Sequence, residues 1–285
     1  LDTLNMRRMA TRNFTRETLP EASSRCRACG TRLYLTLNTL LYEGELAAAE
    51  AVLQFAKPHV DAVIVADWGA IALCQRLGVP FHVSTQMSCA NSEAARFLKR
   101  QGADRVVLAR ECTLDEVAAI AATAGIEVET FVHGAVCVAV SGRCLLSHEA
   151  YGCSSNRGEC RQPCRREFLI REVREGEDAD AAFRVTPNTV LSARDLCSLP
   201  FVDRLVAAGI AAFKIEGRAR NPEYVKTVVS AYRAAIDAVR DGTFTAERAA
   251  HWCEACARVY HREFGCGLYH GRPGEDQFTD TDENQ

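Results

Sequence analysis

The sequence predicts an α/β protein of the TIM-like (β/α)8 barrel class. Three observations carry this expectation. Short apolar strands alternate with helical stretches, the strands are apolar almost without interruption, and the unit repeats about every 25 residues through the first half. Strands of that kind imply a parallel sheet covered by helices rather than one with a solvated face.

Seven strands are read in order: 32–38 (RLYLTLN), 61–66 (DAVIVA), 81–85 (FHVST), 105–109 (RVVLA), 127–132 (EVETFV), 189–193 (TVLSA) and 211–215 (AAFKI). Helices are expected over 44–56, 71–77, 92–101, 113–124 and 200–208, and a long amphipathic one from Pro222 to the stop at Gly242. The turns GADR and AGIAAF place Gly where a helix must end. The chain opens in loop-like text, LDTLNMRRMATRNFT, so an eighth strand is expected upstream of Leu1. An open doubly wound sheet is the alternative, but no GxGxxG or Walker run follows an early strand. The expected domains are a barrel over 1–240, with a cysteine-rich insertion at 135–188 after strand six, and a C-terminal helix with an acidic tail over 241–285. The insertion is too long for an ordinary βα loop.

With 285 residues, 48% of them hydrophobic, the chain can bury a sizeable core. A net charge of −3 excludes a bulk nucleic-acid binder, so any RNA contact must come from a local patch. The apolar runs are too short to span a bilayer, and no secretory signal pattern opens the sequence, so no membrane partner is expected. There are 14 cysteines, and nine are scattered through helix-like and strand-like text. That is unlike a short, loop-rich disulfide framework, so a reducing, cytoplasmic setting is expected.

In a barrel, chemistry sits at the C-terminal ends of the strands. Those positions hold Asn38, Asp67, Gln86, Arg110 with Glu111, His133, Arg194 with Asp195, and Glu216 with Arg218. Arginines there suit bidentate recognition of carboxylate or phosphate. Each residue also has a plainer role open to it: Asp67 as a helix cap, His133 as a buried core histidine. Catalytic candidates are His133, Glu111, Lys214 and Glu216; substrate-binding candidates are Asn38, Asp67, Gln86, Arg110 and Arg218.

Five cysteines, Cys137, Cys144, Cys153, Cys160 and Cys164, fall within 28 residues. Four thiolates can hold zinc or an iron–sulfur cluster. The spacing Cys137-x6-Cys144-x15-Cys160-x3-Cys164 leaves both open. Cys153 is the odd thiol. Two CxxC pairs, Cys26–Cys29 and Cys253–Cys256, lie on expected helices at opposite ends of the chain and are read as coincidence.

The runs FVHGAVCVAVSGRCLLS, NRGECRQPCRREF and FKIEGRARNPEYVKTVVSAYR resemble the collagenase-like peptidase family. LNMRRMATRNFT, LYLTLNTL, HVSTQMSCAN and VVLAREC match the earlier strand ends of that family in order. The resemblance implies a TIM-like barrel carrying a 4Fe-4S cluster on Cys137, Cys144, Cys160 and Cys164. Members with assigned roles hydroxylate a base in tRNA or rRNA, or a quinone precursor, some with prephenate as oxygen source; others are called peptidases or collagenases. A peptidase needs an activated nucleophile or a metal-bound water. There is no GxSxG elbow, and HEAYG at 148–152 lacks the second histidine of HExxH. A base hydroxylase needs basic surface near the cluster, which Arg157, Arg161, Arg165, Arg166, Arg171 and Arg174 supply, partly offset by Glu159, Glu167 and Glu172. RNA base hydroxylation is therefore the expected activity, with structured RNA and a related subunit as expected partners. Collagenase-like proteolysis and quinone-precursor hydroxylation are the alternatives.

Overall fold

The computed structural model of the chain describes residues 4–6, 8, 13–166, 169–171, 182–184, 191–218 and 220–271. Helix and strand alternate through the first half: α1 (Leu19–Ala28), β1 (Tyr34–Leu37), α2 (Leu46–Ala56), β2 (Ala62–Val65), α3 (Trp68–Leu77), β3 (Phe81–Val83), α4 (Ser92–Arg100), β4 (Arg105–Val107), α5 (Leu114–Thr123) and β5 (Glu127–Gly134). Beyond β5 come α6 (Leu146–Tyr151), a hairpin of β6 (Leu169–Arg171) and β7 (Ala182–Arg184), then β8 (Asp195–Cys197), α7 (Val202–Ala207), β9 (Ala212–Ile215), α8 (Pro222–Arg240), α9 (Ala246–Cys256) and β10 (Phe264–Gly265).

Local chemistry sets these boundaries. Asp67 caps α3 by accepting from the Gly69 and Ala70 amides at 2.7 and 3.2 Å. Thr113 and Glu116 form a reciprocal capping box on α5. Asn221 caps α8, with Pro222 in the first turn. Gly78 ends α3 at φ +60°, a left-handed conformation that glycine adopts without a Cβ penalty. Strands β2, β3 and β4 are buried along their whole length, as expected of a sheet covered by helices. Leu53, Val63, Val65, Val83, Val106 and Leu205 form part of that core. Cys74 and Cys112 lie in it as small hydrophobes, and burial pushes both thiols up to about 12.

The main sheet has eight strands and is mostly parallel. β1, β2, β3, β4 and β5 pair in sequence order, and β9 joins β5 in parallel. β8 meets only the end of β5, antiparallel, at His133↔Cys197 and Gly134↔Leu196, and β10 runs parallel to β8. Among the described residues no pairing joins β1 to β9 or β10, so closure into a barrel remains an expectation. Among the same residues, no helix is long and apolar enough to cross a membrane.

Of the strand expected at 189–193, Thr189 and Val190 lie outside the described residues, and the described strand that follows is Asp195–Cys197. A charged residue opens it, which breaks the apolar run that signals a strand. Asp195 is 1% exposed and tolerates burial because Arg220 pairs with it at 2.7 Å and Arg262 at 3.5 Å. α1 carries Cys26, as the helix expected around that CxxC pair, whereas β10 was not expected. α9 packs on α8, and β10 completes the same sheet. The acidic tail, Glu167, Glu172 and Arg174 lie outside the described residues.

Candidate active site and cysteine loop

One face of the sheet carries charge. Glu129 and Phe131, two apart on β5, share a face. Glu129 is 6% exposed, yet it meets Arg105 at 3.1 Å and Lys214 at 2.6 Å. Burial pushes its carboxyl up, but Lys214 and Arg105 outweigh this and hold it below the usual range. One layer towards the strand ends, Phe131 lies under the Arg110 guanidinium at 3.8 Å and beside the Lys214 ammonium at 5.6 Å. Arg110 also donates to the Ala135 carbonyl at 2.6 Å and stands 4.0 Å from Glu216. Arg110, Lys214 and Glu216 are thus brought together around Phe131.

Other expected site residues take local roles. Asp67 uses both oxygens on amides: its cap of α3 and a 3.3 Å bond from Leu41. Asn38 accepts from the Met6 amide at 3.1 Å. Arg218 donates to the Met6 carbonyl, and its own amide is held by Glu216 at 2.7 Å. Both therefore fasten the segment before α1. The Gln86 side chain accepts from Ser84, and its backbone carbonyl takes Arg143 at 3.0 Å.

His133 is the clearest departure from its expected catalytic role. The β5–β9 register shifts between Phe131 and His133. The imidazole lies against Tyr224 and Tyr232 of α8 and against Phe264, with Nδ1 3.3 Å from the Tyr232 hydroxyl. It is 1% exposed. Burial, helped by Arg220 and His261, pulls its pKa down to about 3, so the ring is neutral at physiological pH. This is a core histidine, held away from the charged layer.

The chain leaves β5 through Gly134 into the cysteine loop. Gly134 has φ +102°, and a Cβ there would stand 2.4 Å from the Glu216 carbonyl oxygen, so only glycine lets β5 and the residues after β9 approach this closely. The loop is fastened at its root. Arg110 holds Ala135, and Arg165 donates to Val136, Ser192 and Ala193 at 2.8, 2.8 and 2.6 Å. Glu111 accepts from the Ser141 amide and hydroxyl at 2.7 and 2.9 Å. Ser141 is in the left-handed region at φ +45°, a strained position that Glu111 stabilises. Arg157 reaches Glu45 and the Leu40 carbonyl.

Inside this frame four thiols gather. Burial raises Cys164 to about 11, Arg165 opposes, and the charges of Cys137, Cys160 and Cys144 add to the rise. Cys164 thus lies within electrostatic reach of the other three. Donors point at two of the sulfurs: the Leu146 amide at Cys144 Sγ (3.3 Å) and the Ser147 hydroxyl at Cys160 Sγ (4.0 Å). By donor type this is a set for a soft metal or an iron–sulfur group. Among the described residues no three His, Cys, Asp or Glu side chains stand at the spacing of a single bound ion. Cys153 turns away, donating to the Ser147 and Glu159 carbonyls at 3.6 and 3.3 Å.

Sequence reasoning missed Glu129, Arg105, Phe131, Ser141 and Ser147. The first two become visible only in register, where Arg105 sits opposite Glu127 with Glu129 two residues on. The CxxC pairs are not joined as a site. Cys253 lies 3.8 Å from Cys197 instead.

The model of the family described as peptidase family U32 matches residues 1–279. The chain belongs to peptidase family U32. This is the collagenase-like family that the HGA, SGRC, GEC and KIEGR runs resemble. The U32 chain is 39% identical over 284 residues to a Porphyromonas gingivalis (strain W83) protein named collagenase, covering 95% of this chain and 67% of that one. It is 34% identical over 277 residues to the tRNA hydroxylation protein P1 of Bacillus subtilis (strain 168), covering 93% and 64%. It is 36% identical over 211 residues to a 23S rRNA 5-hydroxycytidine synthase of Escherichia coli (strain K12), covering 74% of this chain and 31% of that one. The chain therefore spans about two thirds of the first two relatives and a third of the last.

Proposed function

We propose that this U32 member is an iron–sulfur protein that hydroxylates a base in tRNA or rRNA, of the 5-hydroxyuridine or 5-hydroxycytidine type, with a prephenate-like dicarboxylate as oxygen donor. The observation that carries this reading is that Cys164 and Cys137 each feel the charges of Cys144 and Cys160, and Cys164 that of Cys137 as well, in a loop whose root is held by Arg110. The Leu146 amide and the Ser147 hydroxyl would stabilise negative charge on the ligand sulfurs. A 4Fe-4S cluster held there supplies a redox-active, Lewis-acidic centre.

The chain's own residues do the rest. Arg110, over the Phe131 ring and 4.0 Å from Glu216, orients a carboxylate at the strand ends. Lys214 adds positive charge beside the same ring. On the outer side of the loop, Arg161 and Arg166 are exposed, with guanidinium carbons 5.5 and 5.2 Å from the Tyr151 ring centroid. An aromatic ring with two exposed guanidinium groups beside it suits an RNA backbone with unstacked bases. The names of the B. subtilis and E. coli relatives point the same way. A closed barrel, a reducing cytoplasmic setting and a related partner subunit belong to the same proposal.

The test is a mass-spectrometric survey of modified nucleosides in a strain lacking the gene, with and without the chain restored. Loss of one hydroxylated pyrimidine, regained on complementation, is expected; an unchanged nucleoside profile overturns the reading. Protein purified without oxygen should be brown, with about four irons per chain. One zinc per chain and no visible absorption would remove the cluster from it.

Collagenase-like proteolysis is the second reading, favoured by the family's description and by the P. gingivalis relative. It predicts that pure protein cleaves gelatin and that a point change in the charged layer, such as Arg110→Ala, abolishes the cleavage. His133, a core residue bonded to a phenol, offers it no general base.

A further inference from the structure

Away from the cysteine loop, three more thiols converge. Cys197 ends β8 and is 5% exposed; Cys253 lies on α9, half-buried; Cys256, one turn on, is fully buried. The Cys197 and Cys253 sulfurs are 3.8 Å apart. Neither thiol takes part in the proposed chemistry, and the CxxC spacing alone points to the wrong partner. Residues three apart on a helix hold their Cβ atoms about 5–6 Å apart, whereas a disulfide needs about 3.5–4.5 Å. Cys253 and Cys256 could therefore join only if the last turn of α9 came apart. Cys197, on the neighbouring strand, is already in contact.

We infer that Cys197 and Cys253 form an oxidisable dithiol site, which a peroxide converts to a disulfide stapling α9 to β8. The order of events follows from exposure and hydrogen bonding. Either thiol can donate across the 3.8 Å contact; when the buried Cys197 keeps its proton and donates, the bond draws Cys253 below its ordinary range and, with burial, pushes Cys197 up. Cys253 is also the more exposed of the two, so as thiolate it attacks one peroxide oxygen. The O–O bond breaks, a hydroxide leaves and takes up a proton to become water, and Cys253 becomes a sulfenic acid. The Cys197 sulfur then attacks the Cys253 sulfur; the S–O bond breaks, the Cys197 proton goes to the departing hydroxide, and a second water leaves. Two thiols and one peroxide give one disulfide and two waters. The sulfurs must close from 3.8 Å to a bond length of about 2.05 Å, a side-chain movement that leaves β8 in register.

The position gives the staple a consequence. Cys197 pairs with His133 on β5, four residues before Cys137. α9 packs against α8 and against the turn that follows β8. A covalent link between β8 and α9 closes a long stretch of chain, so the oxidised protein should melt several degrees higher than the reduced one.

The experiment uses the full 285-residue chain, iron-loaded and handled without oxygen, then treated with one equivalent of hydrogen peroxide and alkylated. Trypsin places Cys197 in the fragment 195–204 and both Cys253 and Cys256 in 249–258. A joined pair of these fragments is expected, in the wild type and equally in Cys256→Ser, and reversed by a dithiol reductant. In Cys253→Ser the joined pair should vanish and Cys197 should stay alkylatable. A link within 249–258, loss of the joined pair in Cys256→Ser, or peroxide consumption that leaves Cys197 and Cys253 both free would each overturn the assignment. Cys197→Ser, which leaves α9 intact, gives a second route: it should convert Cys253 to a sulfenic acid that a dimedone probe traps, and no trapping in excess of wild type would count against the order of attack.

Discussion

Glu111 was expected among the catalytic residues, and its two oxygens are occupied by Ser141. Its role is to hold a left-handed residue three positions before Cys144. Each charge-assisted bond contributes about 1.5–3 kcal/mol, so Glu111→Ala should loosen the cysteine loop. Iron retained per chain after gel filtration should fall well below wild type, while the sheet keeps its melting transition within a few degrees. Equal retention would show that Ser141 needs no anchor. His133 makes a separate prediction about pH. In the unfolded chain a histidine takes up a proton near pH 6.5; in the fold this one stays neutral down to about 3. Between those values the unfolded state binds more protons, so this contribution to stability is complete above pH 6.5 and is lost as pH falls. The slope is about 1.4 kcal/mol per pH unit. Urea unfolding at pH 7 and pH 5 should therefore separate wild type by about 2 kcal/mol more than His133→Phe, which has no such group to protonate.

At the level of elements, β5 organises the site, and its two ends test differently. Glu129 is buried between Arg105 and Lys214, and removing one member of a buried charge set costs about 3–5 kcal/mol because the others stay desolvated. Glu129→Gln should lower the urea midpoint accordingly, and Lys214→Met less, since Glu129 would keep Arg105. At the other end, Gly134→Ala must move the Glu216 backbone, which a Cβ would approach to 2.4 Å. Loss of the hydroxylated nucleoside with a modest fall in melting temperature is expected, measured on the same purified variant; a wild-type level of both would mean that β5 and β9 separate freely. The element pattern was legible where strands are mostly apolar. DAVIVA, FHVST and RVVLA contain β2, β3 and β4, because a strand covered on both faces carries few polar residues; His82 and Arg105 are the two in β3 and β4. β8 was not legible. Asp195 interrupts its text, and the partners that make burial tolerable, Arg220 and Arg262, are far away in sequence. The same reason hid Glu129: a carboxylate in a strand reads as solvent-facing until its cross-strand cations are known.

Over the whole molecule, the density of cysteines between residues 137 and 164 was legible as a candidate site, and the mix of arginines around them was not. Arg157 and Arg165 read as phosphate contacts, yet the loop folds back so that Arg157 pairs with Glu45 and Arg165 holds three backbone or hydroxyl oxygens. A run of arginines states charge but not direction, and direction is set by where the loop is fastened. Of the four arginines of that run whose side chains are described, Arg161 and Arg166 are the exposed ones, both near the Tyr151 ring. With a net charge of −3 the chain as a whole does not attract nucleic acid, so binding depends on a local patch such as this one. Each cation that neutralises a phosphate adds about 0.7–0.9 to the slope of log affinity against log salt. The double variant Arg161→Gln with Arg166→Gln should therefore flatten that slope by about 1.4–1.8, measured with a tRNA transcript between 50 and 200 mM salt. Arg157→Gln should leave the slope unchanged and lower the melting temperature, because its charge is already matched by Glu45. The opposite pattern, a slope that responds to Arg157 and ignores Arg161 and Arg166, would move the RNA-facing surface from the outer side of the loop to the side that meets β1.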